Sequence, residues 1–195
     1  MSTRPSTERK LLDAADELLF GRGVATTTVD ELLALAGVSP ATLYRAYGSK
    51  DGLLVAALQR RQSRWLEVWD DAVAAATGPA EALLSVFDAL ATFRAQPHGA
   101  RWCAFLGSAA EYADPPAPLA AALRADTEHL RSRLRDLAGP LVDGDAARAA
   151  RLADALLLVV SGELAMQLRE PGSRTASARA VARAVLDAEL SGAPA

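Results

Sequence analysis

Cysteine, histidine and long apolar runs are nearly absent from this sequence. It contains one cysteine, Cys103, and two histidines, His98 and His129, and no apolar run is longer than six residues, as in 155–160. A single thiol forms no intramolecular disulfide, the histidines lack the spacing of metal ligands, and a membrane-spanning helix needs about 20 apolar residues. We therefore expect no disulfide scaffold, no metal or other cofactor, and no membrane span.

Residues 1–10 lack the apolar segment of a secretory signal peptide, so we expect a cytoplasmic protein. Apolar residues make up 51% of the 195, and 23% are charged, which is enough apolar material for a sizeable core. The formal net charge of −3 argues against a general attraction to nucleic acid. Residues 45–64 are a local exception, because they carry five basic side chains and one aspartate, a charge of +4.

Helix-forming residues dominate the sequence, and no stretch alternates with the period of a β-strand. Eight breaks rich in glycine or proline separate the segments of helical period, so we predict an all-α protein of about nine helices. The first three predicted helices are short, whereas those after Ser49 are mostly longer. This change predicts two domains, residues 1–49 and residues 50–195, with a long helix running from the boundary to about Ala76.

Two short helices with a tight turn between them are predicted within residues 28–47. Thr28-Val-Asp-Glu31 is a capping box, which begins a helix that ends at Gly37. Ser39 is a good N-cap, and Pro40 fits the first position of a second helix, which runs to Tyr47. This pattern predicts a helix-turn-helix, an arrangement that occurs in DNA-binding proteins and as ordinary packing.

The second of these helices presents polar side chains that suit a major groove. Thr42, Tyr44 and Arg45 can point outward while Leu43 faces inward. Arg45 is suited to a bidentate contact with guanine, and an ordinary solvated arginine explains it equally well. Tyr44 either donates to a phosphate or shields the core. Lys50 opposes the dipole at the start of the next helix, which a neighbouring anion such as a phosphate would explain.

A series of motifs over residues 7–58 resembles the TetR/AcrR family of transcriptional regulators. The motifs are Thr7-Glu-Arg-Lys-Leu-Leu-Asp-Ala-Ala, Phe20-Gly-Arg-Gly, Thr27-Thr-Val-Asp-Glu-Leu, Ala36-Gly-Val-Ser, Thr42-Leu-Tyr-Arg-Ala-Tyr-Gly-Ser-Lys50 and Leu53-Leu54. The resemblance implies an all-α fold of nine or so helices, with a DNA-binding head on a larger body that binds an effector and forms a dimer.

The resemblance also implies roles for individual residues in DNA binding. The candidate residues are Thr28, Ser39, Tyr44 and Lys50 on phosphates, and Pro40, Ala41, Thr42 and Arg45 nearest the base edges, together with Tyr47. This chain departs from the family's pattern at Pro40-Ala41, where a Lys-Gly-like pair is common, and at Ala46, where histidine is frequent. The first departure affects the sequence that is read, and the second removes a backbone contact.

The region after Lys50 carries aromatic and soft apolar side chains at helical spacing. Such residues can line a cavity in a helical bundle, although core packing explains most of them. The resemblance implies that the sixth helix borders the effector pocket. The candidate ligand-binding residues are Trp65, Trp69, Phe87, Trp102, Phe105, Tyr112 and Met166.

Several other side chains are given ordinary structural roles. We expect Cys103 to be a small buried apolar residue rather than an oxidant sensor. Asp13, Asp16 and Glu17 are expected on solvated helix faces. Glu163, in the apolar eighth helix, either faces solvent or makes a polar contact in the pocket or interface, and we favour solvent.

The last two predicted helices are more apolar than a solvated face requires, which predicts a homodimer through an intersubunit four-helix bundle. The function predicted is a ligand-responsive repressor, released from a palindromic operator by a small apolar or amphipathic effector. The alternative is a helical small-molecule-binding or adaptor protein whose head no longer reads specific DNA. The sequence contains no constellation that indicates an enzyme.

Overall fold

The structure is a computed structural model, which describes residues 5–96, 103–170 and 175–192. Within these ranges the chain forms nine α-helices and one short 3₁₀ helix, Gly139–Leu141, and no strand. In chain order the helices are α1 (Pro5–Leu18), α2 (Val29–Ala36), α3 (Pro40–Tyr47), α4 (Lys50–Ala74), α5 (Pro79–Ala95), α6 (Ala104–Glu111), α7 (Ala117–Ala138), α8 (Ala146–Arg169) and α9 (Thr175–Leu190). The predicted all-α class and helix number are confirmed.

The helices divide into two compact units. One comprises Met1–Ser63 and Ala100–Ala125, and the other comprises Arg64–Gly99 and Asp126–Ala195. This division by packing differs from the predicted boundary at residues 49 and 50, since α6 and the first part of α4 pack with the three N-terminal helices. The division of functions between residues 1–49 and residues 50–195 stays a prediction.

The first unit has a core built mainly of leucines. The apolar face of α1 is buried at Leu11, Ala15 and Leu18. Leu32 on α2 and Leu43 on α3 have no exposed surface and belong to the same cluster. The two short helices are therefore held by their leucines, and their remaining faces are available to solvent.

The core of the first unit also contains residues of α6 and of the start of α7, although α5, which precedes them in the sequence, belongs to the second unit. Ala104 of α6 and Leu119 of α7 are buried in the leucine core. Phe105 and Tyr112 pack against it and are partly buried. The two segments complete the core that supports the N-terminal helices.

The second unit has its core around Trp69 and Phe87, both without exposed surface. Helices α8 and α9 pack against each other and supply much of the apolar area around these rings. Their buried contributions include Leu152, Leu156, Val160, Ala182 and Leu186. None of the helices in the described ranges is long and apolar enough to cross a membrane.

Glu163 does not face solvent, and that prediction is wrong. The residue is 4% exposed on α8, and its Oε1 atom lies 2.9 Å from Nη2 of Arg94 on α5. Gln167 Nε2 and Thr175 Oγ1 donate hydrogen bonds to the same oxygen, each at 3.1 Å. Burial of this carboxylate is tolerated because a guanidinium and two neutral donors compensate for the loss of water.

Two other predictions of side-chain environment need correction. Asp16 is not solvated, since its side chain is 7% exposed and forms an ion pair with Arg60, which also binds Asp13. Cys103 is not a buried core residue, because it is half-buried at the N-cap of α6. The environment of Asp16 is determined by Arg60, which lies 44 residues further along the chain.

Removal of the Leu43 side chain tests how strongly α3 is anchored. We expect Leu43→Ala to lower the free energy of unfolding by about 2–5 kcal/mol, because it leaves a cavity in a fully buried site. Leu35 on α2 is 48% exposed, so Leu35→Ala should cost less than about 1 kcal/mol. Urea denaturation followed by circular dichroism measures both, and equal losses would contradict the assignment of Leu43 to the core.

Candidate nucleic-acid interface

The capping box predicted at the start of α2 is present. Thr28 Oγ1 accepts a hydrogen bond from the backbone N–H of Glu31 at 3.2 Å, and Glu31 Oε2 accepts one from the backbone N–H of Thr28 at 2.8 Å. This last bond is the main reason that the pKa of the Glu31 carboxyl lies below its ordinary value. Gly37 ends α2 in the left-handed conformation, with φ of 63°. The turn into α3 therefore follows the predicted geometry.

The N-terminal end of α3 presents three small exposed residues. Ser39, Pro40 and Ala41 are exposed, and Thr42 is half-buried. Ser39 occupies the predicted N-cap position, but its hydroxyl lies 2.9 Å from the hydroxyl of Thr42 and caps no backbone N–H. The surface at this end of the helix therefore consists of two hydroxyl groups and the apolar pair Pro40-Ala41.

The middle of α3 presents the two largest polar side chains of the predicted interface. Tyr44 is 51% exposed, and Arg45 is exposed, with no ion-pair partner among the described residues. Leu43, which precedes them, faces the core, as predicted. Tyr47 is half-buried, and burial raises the pKa of its hydroxyl. The guanidinium of Arg45 is therefore available to a ligand, whereas Tyr47 lies nearer the protein interior.

Lys50 points toward the protein backbone. Its Nζ atom donates to the carbonyl oxygens of Val24 and Thr27, in the loop between α1 and α2. The sequence predicted a neighbouring anion, and two carbonyl dipoles supply that negative charge within the chain. An ammonium group has three donors, so one remains for the predicted phosphate contact.

The basic segment 45–64 does not form a continuous basic surface. Arg60 is paired with Asp13 and Asp16, and Arg61 is 6% exposed with its guanidinium 5.6 Å from the centre of the Phe20 ring. Two of the arginines of this segment therefore interact with other residues of the first unit. This leaves Arg45 as the most accessible of its arginines for an external contact.

The loop before α2 also binds a residue that the sequence reasoning missed. Glu111, the last residue of α6, accepts hydrogen bonds from the backbone N–H groups of Val24 and Ala25. Tyr112 follows it and donates to Asp51 of α4 at 2.6 Å. No local pattern marks Glu111, because its partners lie 86 and 87 residues earlier in the chain.

The candidate ligand-binding residues that the structure describes are divided between the two units. Trp69 and Phe87 are core residues of the second unit, and Met166 is half-buried on its α8. Phe105 and Tyr112 belong to the first unit. Trp102 lies outside the described residues. An effector pocket lined by all of them stays a prediction.

An aromatic cluster occupies part of the second unit. The ring centroids of Trp65 and Trp69 lie 5.6 Å apart, so the two rings contact each other along one face of α4. Phe93 meets Trp65 edge to face at 5.8 Å, and the Arg133 guanidinium lies 4.6 Å from the centre of the Trp69 ring. The Trp69 indole N–H is buried and has no hydrogen-bond partner within the described part of the chain.

A groove of about 730 Å³ lies between α8 and α9, and the sequence did not predict it. Arg148, Arg151 and Glu189 line it together with Leu152 and Leu190. Arg148 Nε lies 2.9 Å and Arg151 Nη2 lies 3.4 Å from Glu189 Oε1, so one carboxylate pairs with two guanidinium groups. The described residues hold no cluster of three or more potential metal ligands.

The helix-turn-helix region matches the family model "Bacterial regulatory proteins, tetR family" over residues 11–57. Among curated proteins, the uncharacterised regulator YvkB of Bacillus subtilis is 40% identical over 57 residues, 29% of this chain and 30% of that protein. BetI of Rhizobium meliloti is 33% identical over 112 residues, 54% of this chain and 53% of that protein. The alignments thus span about half or less of these relatives.

Solved structures match the chain over almost its whole length. A TetR-family regulator from Streptomyces coelicolor superposes with a TM-score of 0.80 at 23% identity, over 97% of this chain and 91% of that one. A regulator from Streptomyces avermitilis has a TM-score of 0.77 at 26% identity, over 94% and 97% of the two chains. Residues 11–57 therefore match the N-terminal domain of the TetR family, and the chain has the fold of solved structures of TetR-family regulators.

The lowered pKa of Glu31 predicts a pH dependence of stability. A carboxylate whose pKa falls on folding contributes stability above its unfolded-state pKa and loses it as the pH falls through the folded-state value. On lowering the pH from about 7 to about 3, we therefore expect the wild type to lose more unfolding free energy than Glu31→Gln. Urea titrations across this range measure the difference, and parallel curves would contradict it.

Proposed function

We propose that this protein is a ligand-responsive, DNA-binding transcriptional repressor that acts as a homodimer. The observation that carries the proposal is the exposed face of α3, with Arg45 unpaired, within the region matched by the TetR family model. An arginine on a helix of this size can make bidentate hydrogen bonds to guanine in the major groove. Thr28, Ser39, Tyr44 and Lys50 then bind phosphates and hold the helix in register.

The homodimer is supported by the apolar surface of the last two helices. Leu158 on α8 is 74% exposed and Val181 on α9 is 53% exposed. Leu168 and Leu190 are also large exposed apolar residues on these helices. A second copy that covers them forms the predicted intersubunit four-helix bundle and places two recognition helices roughly 34 Å apart, one turn of DNA.

Release by a small apolar or amphipathic effector completes the proposed function. Binding among the body helices displaces the two heads from successive grooves, and both half-sites are lost together. A 100-fold difference in operator affinity needs only about 2.7 kcal/mol of differential binding. The half-buried Trp65 and Met166 are the candidates in the second unit with surface to offer such a molecule.

Replacing Arg45 by alanine tests sequence-specific binding. We expect Arg45→Ala to reduce the preference for operator over scrambled duplex by about 1–3 kcal/mol, because bidentate base contacts are lost. The measurement is fluorescence anisotropy at fixed salt, with duplexes from the DNA beside the protein's own gene. Arg124→Ala removes an exposed arginine of α7 and is the control for the change in net charge.

Salt and sequence dependence decide between this function and the adaptor alternative. Specific operator binding should weaken steeply with salt, at a log-log slope of about −0.9 per phosphate contact. Equal losses of affinity in Arg45→Ala and Arg124→Ala on every duplex would contradict the role of Arg45. Equal, weak binding to all duplexes would favour the adaptor.

Placing a charge on α8 tests the homodimer. Leu158→Glu should convert the dimer to a monomer and abolish cooperative operator binding, since an unpaired carboxylate would be buried in the apolar interface. Sedimentation equilibrium measures the mass, and anisotropy measures operator binding. Ala121→Glu places the same charge on an exposed site of α7 and should leave the dimer intact. A dimer that survives Leu158→Glu would contradict an interface through this face.

A further inference from the structure

The loop of residues 19–28 connects α1 to the helix-turn-helix and has no regular secondary structure of its own. The N–H groups of Leu19, Arg22 and Thr27 donate to backbone carbonyls, and the other polar backbone groups of the loop need partners from side chains or water. Gly23 has φ of 112°, a conformation that side chains rarely adopt, and it turns the chain just before Val24 and Ala25. The position of α2 depends on how this turn is held.

A single carboxylate binds the two N–H groups that follow Gly23. Glu111 Oε1 accepts from Val24 N at 3.0 Å, and Glu111 Oε2 accepts from Ala25 N at 2.6 Å. Successive backbone N–H groups in such a turn form an anion-binding concavity. The anion bound here is a side chain of α6, and the turn is thereby linked to the end of that helix.

Lys50 holds the carbonyl side of the same loop. It donates to the oxygens of Val24 and Thr27, so a cation binds the C=O groups while Glu111 binds the N–H groups. Both charges oppose the dipole of their own helix, because Lys50 begins α4 and Glu111 ends α6. Their placement is explained by the loop they bind and not by the helices that carry them.

Two further contacts make the position of Glu111 specific. Tyr112, next to it, donates to Asp51 of α4 at 2.6 Å, which ties the end of α6 to the start of α4. A Cβ atom added at Gly23 would lie 3.3 Å from Glu111 Oε1, so the glycine leaves room for the carboxylate. Ala104 at the other end of α6 is buried in the leucine core.

We propose that Glu111 is a positioning residue for DNA binding, which fixes the α1–α2 loop and through it the recognition helix. The proposal rests on the proposed DNA-binding function. When α6 moves or Glu111 is removed, the N–H groups of Val24 and Ala25 lose their acceptor and α2 and α3 are no longer held in register. Operator affinity then falls although no residue of the DNA-facing surface has changed.

The test combines operator binding with backbone amide exchange in the full-length protein. We expect Glu111→Ala to weaken operator binding about tenfold and to accelerate exchange at Val24 and Ala25 by a similar factor, because two charge-assisted hydrogen bonds are lost. Glu111→Gln keeps one acceptor and should lie between Glu111→Ala and the wild type. Asp114→Ala removes a nearby exposed carboxylate and should change neither quantity.

The outcomes separate a positioning role from a general loss of stability. Unchanged operator affinity in Glu111→Ala overturns the proposal, and so does faster exchange spread evenly over α1, α2 and α3. If the wild type binds no operator, the proposed function and the positioning role both fail. Exchange at Val24 and Ala25 is measured without DNA, so it still decides whether Glu111 holds the loop.

Discussion

Hydrogen bonding of the loop between α1 and α2 is the constraint on which the first unit depends. Thr27 is buried, and the one proton of its hydroxyl is shared between the carbonyl oxygens of Gly23 at 2.8 Å and Leu18 at 3.2 Å. Lys50 and Glu111 bind four further backbone groups of the loop from outside it. Each backbone group of the loop that stayed buried without such a partner would cost about 1–3 kcal/mol.

The leucine core explains how so small a helix as α3 can present a binding surface. Eight residues do not form a stable helix in water, and most of their stability comes from tertiary packing. Leu43 provides that packing from one position, and its neighbours Tyr44 and Arg45 remain free for other contacts. Recognition chemistry and folding stability are therefore assigned to different side chains of the same helix.

Buried charge in the second unit has a similar dependence on distant partners. Glu163, Arg94, Gln167 and Thr175 join α5, α8 and the start of α9 around one carboxylate oxygen. Removing one partner from such a group destabilises the protein by more than the intact interaction contributes to stability, because the remaining charge stays buried without compensation. The network thus fixes the relative position of these three helices, which include the two that are proposed to form the dimer.

Local patterns in the sequence determined the all-α class, the bounds of α2 and α3, the capping box of Thr28 and Glu31, and the exposed face around Arg45. These features follow from interactions between residues three or four positions apart, which periodicity and caps describe. Only the tertiary structure decided that Lys50 binds carbonyl groups, that Glu163 is buried, and that α6 packs with the N-terminal helices. Their partners come from distant parts of the chain, and no local pattern specifies which charge will meet which backbone group once the helices have packed.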